Sequence, residues 1–289
     1  MVLIGCGQLT WTGVPADEVM REIASAGYDG APGPLSLERP AEEVVEWFGG
    51  FGLVPAPPYF AGRFWDPGEE AGILGQAAAV ARYVRDLGCD CLYVAADGMK
   101  EPAPSGRTRS DLAGKVTSAD AMTDEQFDQF GRVLGEFAEI TLSEGVTSCF
   151  HNHVGTVIET AAELDRLLDH VPTDALALGL DTGHIAWAGD DAVAVCDRHF
   201  DRIATLHLKD VNETVRKQGV AGDWTYRQFA EAGVFAELGE GVVDFPAILR
   251  PMLERGFDDW LIVETDITMK PTALESAQIS REYLKSLGL

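Results

Sequence analysis

Short apolar runs alternate with longer amphipathic ones along the whole chain, and this alternation restricts the fold more than any other feature. Val2–Cys6, 27–31, Leu53–Pro57, Cys91–Ala95, Val146–Phe150, Leu176–Leu180, Ile203–Leu208 and Leu261–Val263 read as eight strands. Helices are predicted over Pro15–Ala26, Ala41–Phe48, Glu69–Leu87, 123–143, Ala161–Leu168, Asp191–His199, Phe245–Arg255 and Thr272–Leu287. In the first of these, Val19, Met20, Ile23 and Ala24 recur at helical spacing. Gly88 marks the end of the third, and Thr123 caps the fourth ahead of Asp124 and Glu125. Strands regularly separated by helices specify an α/β chain with a parallel sheet. Eight such units, with no boundary in composition, predict one closed (β/α)8 barrel domain over residues 1–289. A doubly wound open sheet is the alternative, but Gly5-Cys6-Gly7 lacks the third glycine of a dinucleotide fingerprint, where Thr10 stands.

The strand ends carry the chemistry. Three apolar runs stop on His151-Asn152-His153, on Asp181-Thr182-Gly183-His184 and on His207-Leu208-Lys209-Asp210, and a fourth on Glu264-Thr265-Asp266. Of the six histidines only His170 and His199 lie elsewhere, so imidazoles and carboxylates gather at one end of the strands. A TIM barrel builds its active site in this way, at the C-terminal ends of its strands. Residues 97–122 and 211–243 also follow strands on that side, and we expect them to form lids or oligomer contacts.

Composition excludes several classes. A net charge of −25 without a basic stripe argues against a nucleic-acid partner. Five cysteines, an odd number without framework spacing, suggest a reducing compartment, and Cys89, Cys91 and Cys149 sit in apolar runs where they pack as small hydrophobes. The start, Met1-Val2-Leu3-Ile4-Gly5-Cys6, lacks the charged leader of a signal peptide and reads as a first strand. No run approaches the roughly 20 apolar residues of a membrane span. The expectation is a soluble cytoplasmic enzyme.

Glu159, Asp181, His207 and Glu264 are the candidate metal ligands. Three carboxylates with one imidazole suit one divalent ion, Mn²⁺ or Co²⁺ first, with Mg²⁺ or Zn²⁺ as further candidates. Singly, each residue has a plainer reading: Asp181 as a helix cap, His207 as a core histidine, Glu159 as a solvated acid, Glu264 as half of an ion pair. Four at successive strand ends favour a joint site. His153, His184, Lys209 and Glu264 are the candidates for proton transfer, while His151, Trp187, Asp210 and Arg216 are the candidates for substrate contact. Asp210 could instead orient its neighbours. Trp11, Tyr59, Phe60 and Trp187 could line an apolar wall, although core packing is the commoner role of such side chains.

These motifs, together with His151-Asn152-His153-Val154-Gly155-Thr156, Gly239-Glu240-Gly241-Val242-Val243-Asp244-Phe245 and Gly27-Tyr28-Asp29-Gly30, resemble the xylose-isomerase-like superfamily of sugar phosphate isomerases and epimerases. Within it the pattern is most similar to inosose dehydratases. The resemblance implies a divalent-metal site with Asp181, His207 and Glu264 as ligands. It implies a keto-sugar or keto-inositol substrate and isomerisation, epimerisation or dehydration through an enediolate. It also implies a homo-oligomer. Two positions depart from the pattern. His151 stands where relatives commonly place the strand-five glutamate, so Glu159, His151 or His153 is left to supply the fourth ligand. Ala31-Pro32-Gly33 stands where a glutamate commonly follows strand two. The rival readings are a ketose 3-epimerase or 3-keto-glycoside lyase, a metal-dependent apurinic endonuclease, which the acidic composition disfavours, and a non-catalytic sugar-binding subunit.

Overall fold

The computed structural model describes residues 2–172 and 174–289. Among the described residues eleven strands are formed: β1 (Leu3–Cys6), β2 (Gly30–Pro32), β3 (Val54–Ala56), β4 (Tyr59–Gly62), β5 (Cys91–Ala96), β6 (Thr147–His151), β7 (Leu176–Asp181), β8 (Ile203–Leu208), β9 (Asp210–Val211), β10 (Phe235–Ala236) and β11 (Trp260–Val263). Nine of them make one sheet in the order β3-β2-β1-β11-β8-β7-β6-β5-β4. Every pair in it is parallel, so all the strands end on one face. The sheet is curled, and its two outer strands, β3 and β4, follow each other in the chain with only Pro57 and Pro58 between them.

That break is where the structure departs from the sequence reading, which has one strand over Leu53–Pro57. A proline has no N–H to give a ladder, so two in succession interrupt the pairing. Ala56 still accepts from Gly33 N, and Pro58 from Tyr93 N, so β2 is served on one side of the break and β5 on the other.

The eight expected helices all form, and two owe their starts to reciprocal caps: Thr123 with Gln126, and Thr160 with Glu163. Three further helices were not anticipated. Thr182–Ala188 begins directly on the last residue of β7, and Glu213–Ala221 and Tyr226–Glu231 lie within the long stretch after β8. Their apolar positions are too few to show a period.

The core lies between sheet and helices, around residues such as Met20, Val80, Val133, Phe137 and Leu249. A smaller apolar group, Ala56, Tyr93, Trp260 and Ile262, is separate from it. Gly179 makes room for this group, because a Cβ there would lie 2.6 Å from the Tyr93 ring. All five cysteines are free and buried, as the apolar runs implied. No helix among the described residues is long and apolar enough to cross a membrane.

The two long segments meet one another. Tyr226 N donates to Ser110 O at 2.9 Å, and Asp223 pairs with Arg107 at 3.0 Å and Lys115 at 2.9 Å. The first segment is further pinned by Arg109, whose buried guanidinium is ion-paired with Glu163 at 2.9 Å and donates to Thr156 O at 2.6 Å.

Candidate metal centre and active site

Asp181 ends β7 and begins a helix at once. Its Oδ1 accepts from His184 N at 2.9 Å as the helix cap, leaving Oδ2 buried without a hydrogen-bond partner. The plain reading of Asp181 and the functional one are therefore both available, one per oxygen. Asn152 fixes its backbone from β6, accepting from Asp181 N at 3.0 Å. His207 lies beside Asp181 in the β7–β8 register, and Glu264 follows β11, where its N–H donates to Leu208 O at 3.0 Å. His207 Nδ1 stands 3.2 Å from Glu264 Oε2 and 3.9 Å from Asp181 Oδ2. One ligand atom from each of the three falls within 4.8 Å of the others.

Lys209 enters the same space. Its Nζ is 2.8 Å from Asp266 Oδ1, 3.1 Å from Glu264 Oε2, 3.4 Å from Asp181 Oδ2 and 3.1 Å from His184 Nε2. The motif Asp181-Thr182-Gly183-His184 is built around this lysine. Thr182 Oγ1 accepts from Lys209 N at 3.1 Å and donates to Lys209 O at 2.9 Å. A Cβ on Gly183 would lie 2.6 Å from Lys209 Cγ, so only glycine lets the stem pass.

Electrostatics follow from burial. Desolvation, then the neighbouring imidazoles and Lys209, pulls His151 and His184 well below the usual histidine range, and His153 down to about 4. These rings are neutral and keep a lone pair. Burial raises Glu264, but Lys209 and His207 outweigh it and hold the carboxylate well below its usual value. Burial would also strip the Lys209 proton, yet Asp181, Asp266 and Glu264 together keep the ammonium charged. For Asp181 burial prevails and the carboxyl sits above its ordinary value. Three carboxylates thus share one ammonium, and Asp181 is short of positive charge. A buried carboxylate oxygen without a hydrogen bond, two more carboxylates and neutral imidazoles fit a divalent cation.

His151 lies beside this cluster. Its Nδ1 donates to Gly179 O at 3.1 Å, a carbonyl that can only accept, so Nε2 is left with its lone pair. Its ligand atom lies within 4.8 Å of those of Asp181 and His184. His153 is fixed likewise, with Nδ1 against Val154 O at 2.7 Å, and its ring lies 3.8 Å from that of His184. His151 and His153 line, with His207 and Glu264, a cavity of about 380 Å³.

Four expected site residues sit elsewhere. Glu159 enters none of the ligand groups among the described residues. Its Oε1 accepts from Gly114 N at 2.8 Å and its Oε2 from Gly155 N at 2.6 Å, tying the long segment to the loop after β6. Burial pushes this carboxyl up to about 8 in spite of those N–H groups. Asp210 accepts from the N–H groups of Val211, Gly239, Gly241 and Val243 and so shapes the turn at 239–243. Arg216 pairs with Glu213 at 2.5 Å and lines a separate cavity with Asp191 and Asp244. Trp187 is fully buried behind His184, its ring 6.1 Å away. Of the other aromatics only Tyr59 reaches the cavity; Trp11 and Phe60 are core residues.

Glu159→Ala is accordingly expected to destabilise the fold by about 2 kcal/mol, through two buried N–H groups left without acceptors. Bound metal per chain should be unchanged; a loss of metal with the fold intact would make Glu159 a ligand after all.

The sequence reading placed Asp266 at a strand end but gave it no role, and it missed Tyr226. Asp266 lies two residues beyond Glu264, a spacing that puts both side chains on one face of an extended segment and that could have signalled it. Tyr226 arrives from the unanticipated second long segment, stacks on His153 at 6.0 Å and reaches Asp266 Oδ2 at 3.3 Å.

A curled parallel sheet with acids and imidazoles converging at its strand ends has the layout in which TIM-barrel enzymes build their active sites. The sequence profile of the xylose isomerase-like TIM barrel matches residues 20–287, and the chain belongs to that family. It is 29% identical over 283 residues to the rhizopine catabolism protein MocC of Rhizobium meliloti, covering 92% of this chain and 82% of that one. It is 26% identical over 295 residues to an inosose dehydratase of Geobacillus thermodenitrificans, covering 98% and 96% respectively. Among solved structures, the IolI protein with a bound zinc atom superposes with a TM-score of 0.71 at 17% identity, covering 99% of this chain and 97% of that one.

Proposed function

We propose that this protein is a divalent-metal-dependent enzyme of keto-sugar or keto-cyclitol chemistry, and that dehydration of an inosose-like substrate is its reaction. The observation that carries the proposal is the meeting of Asp181 Oδ2, His207 and Glu264 around a charged lysine at the edge of a sugar-sized cavity. The relatedness to an inosose dehydratase over nearly the whole chain favours the cyclitol. In this reading residues 1–289 act as one domain, and β3 and β4 are one barrel strand interrupted at Pro57 and Pro58, which gives the (β/α)8 count.

Asp181, His207 and Glu264 would hold the ion, with His151 as the fourth ligand in place of Glu159. When bound, a divalent ion supplies a Lewis acid that stabilises negative charge developing on a ketone oxygen. The remaining steps belong to side chains. The Lys209 ammonium is fixed by three carboxylates and offers a proton donor beside His184 Nε2. His153, kept neutral by burial and with Nδ1 against Val154 O, offers its Nε2 lone pair to take a proton from the carbon next to the carbonyl. Neutral His184 accepts at Nε2 from Lys209 and holds that donor in place. A proton returned to the neighbouring hydroxyl lets water leave.

Elemental analysis of protein purified without chelator should find about one equivalent of manganese, cobalt or another divalent ion per chain. Product analysis on a panel of keto-cyclitols and keto-sugars should then show loss of water. Absence of metal, with no uptake of added Mn²⁺, Co²⁺ or Zn²⁺, would overturn the proposal.

A further inference from the structure

The cavity has two unlike halves, and the strand order assigns them. His151 ends β6 and His153 lies just beyond it, His207 lies in β8 and Glu264 directly follows β11. The other arc is supplied by Leu9 after β1, Pro32 at the end of β2, Pro57 after β3 and Tyr59 at the start of β4, with Gln8 beside Leu9. The Tyr59 ring borders the first half, 5.3 Å from that of His151. Gln8 Nε2 is already donating to Pro32 O at 2.8 Å, so its amide oxygen is the free polar group of that arc's side chains apart from the Tyr59 hydroxyl. No lysine or arginine is among the described residues that line the cavity. Leu9 is 58% exposed and Tyr59 39% exposed, while Pro32 is half-buried and Pro57 buried, so the arc opens outward at Leu9 and Tyr59.

A ring bearing a hydroxyl on every carbon would leave several of them facing Leu9, Pro32 and Pro57 without partners. A pocket that cannot pair a polar group disfavours the ligand carrying it, whereas apolar carbon gains by displacing water there. A phosphate or carboxylate would meet no cation on that arc, and the Glu264 carboxylate across the cavity. Pro32, the last residue of β2, brings neither an N–H nor a polar side chain to this arc.

Resting on the proposed keto-sugar or keto-cyclitol chemistry, we infer that the substrate is uncharged and carries an apolar O-linked substituent, which lies on the Leu9–Pro32–Pro57–Tyr59 arc while its ketone faces His151, His207 and Glu264.

The test is calorimetric titration of the metal-loaded protein with 2-keto-inositol, its O-alkyl and O-phenyl ethers, and its phosphate ester. The ethers should bind at least about tenfold more tightly than the parent, and the phosphate ester more weakly than either. Leu9→Asp and Pro32→Glu should reduce the advantage of the ethers toward parity, with metal content unchanged as the control for folding. Equal binding of ether and parent, or a preference for the phosphate ester, overturns the inference. So does an absent ether preference accompanied by dimerisation that Leu9→Asp abolishes, which would give the arc to a second copy of the chain. Turnover of the unsubstituted ketone by metal-loaded protein without an ether preference would sink this inference alone. A protein that takes up no metal and turns over no ketone would sink the underlying reading with it.

Discussion

Asp181→Asn should leave the fold intact and lose the metal. Asparagine caps helices about as well as aspartate, so the bond from His184 N to the retained Oδ1 survives. What disappears is the charge on Oδ2, the oxygen without a hydrogen-bond partner. We expect bound metal to fall below about a tenth of an equivalent. With it, kcat/KM should fall by about 10³ or more, since several kcal/mol of transition-state stabilisation come from a bound ion and each 1.4 kcal/mol is tenfold. Unfolding free energies of the two metal-free proteins should agree to within about 1 kcal/mol, because a buried carboxylate short of positive charge adds little to stability. Added metal should raise the unfolding free energy of the parent protein only, by about 2.7 kcal/mol at a hundredfold excess over Kd. Substitution by alanine would confuse the cap with the ligand. A D181N protein that retains metal and activity would remove the centre from the mechanism.

How far this centre could be read from sequence depends on how local each cause is. Asp181, His207 and Glu264 are legible because a strand end is announced by the apolar run before it, and parallel strands bring their ends to one face. Lys209 is legible in the same way. Glu159 is not: it is an acid in the right neighbourhood, but the N–H groups of Gly114 and Gly155 claim its oxygens, and the fold of a segment 45 residues upstream decides that. Asp210 fails for a related reason, since its partners at 239–243 are glycines and a valine whose backbone alone is used. Tyr226 depends on the packing of two long segments against each other, which no periodicity encodes. The splitting of the third strand was written in Pro57 and Pro58, and weighing the missing N–H groups would have found it.

Lys209→Met is expected to be the most damaging single change to the metal-free protein. The methionine stem keeps the packing beside Gly183, but Asp181, Glu264 and Asp266 lose the ammonium they share. Removing one partner from a buried ionic group costs about 3–5 kcal/mol, because the charges left behind remain out of water. The pH dependence has a definite sign. Glu264 is held well below its usual value in the folded protein, so its contribution is present above the ordinary glutamate range, near pH 4.3, and is lost as pH falls through the folded value. Lys209 is held above its usual value, so its contribution persists through neutral pH and fades only in strong alkali. The stability gap between parent and variant should therefore be widest from about pH 6 to 9. It should shrink below about pH 4, where the stranded carboxylates of the variant take up protons. Divalent cation should narrow the gap at pH 7 as well, since an ion bound by Asp181 and Glu264 supplies the positive charge that the lysine did. Urea titrations of both proteins at pH 4 and pH 7, with and without Mn²⁺, measure all of this. A gap that is below about 1 kcal/mol at pH 7, or the same at both pH values, would mean that the lysine does not balance these acids. Activity should fall by about 10²–10⁴ even in the metal-loaded variant, the usual contribution of a positioned proton donor. Metal-loaded Lys209→Met protein with undiminished kcat would confine the lysine to holding the carboxylates together.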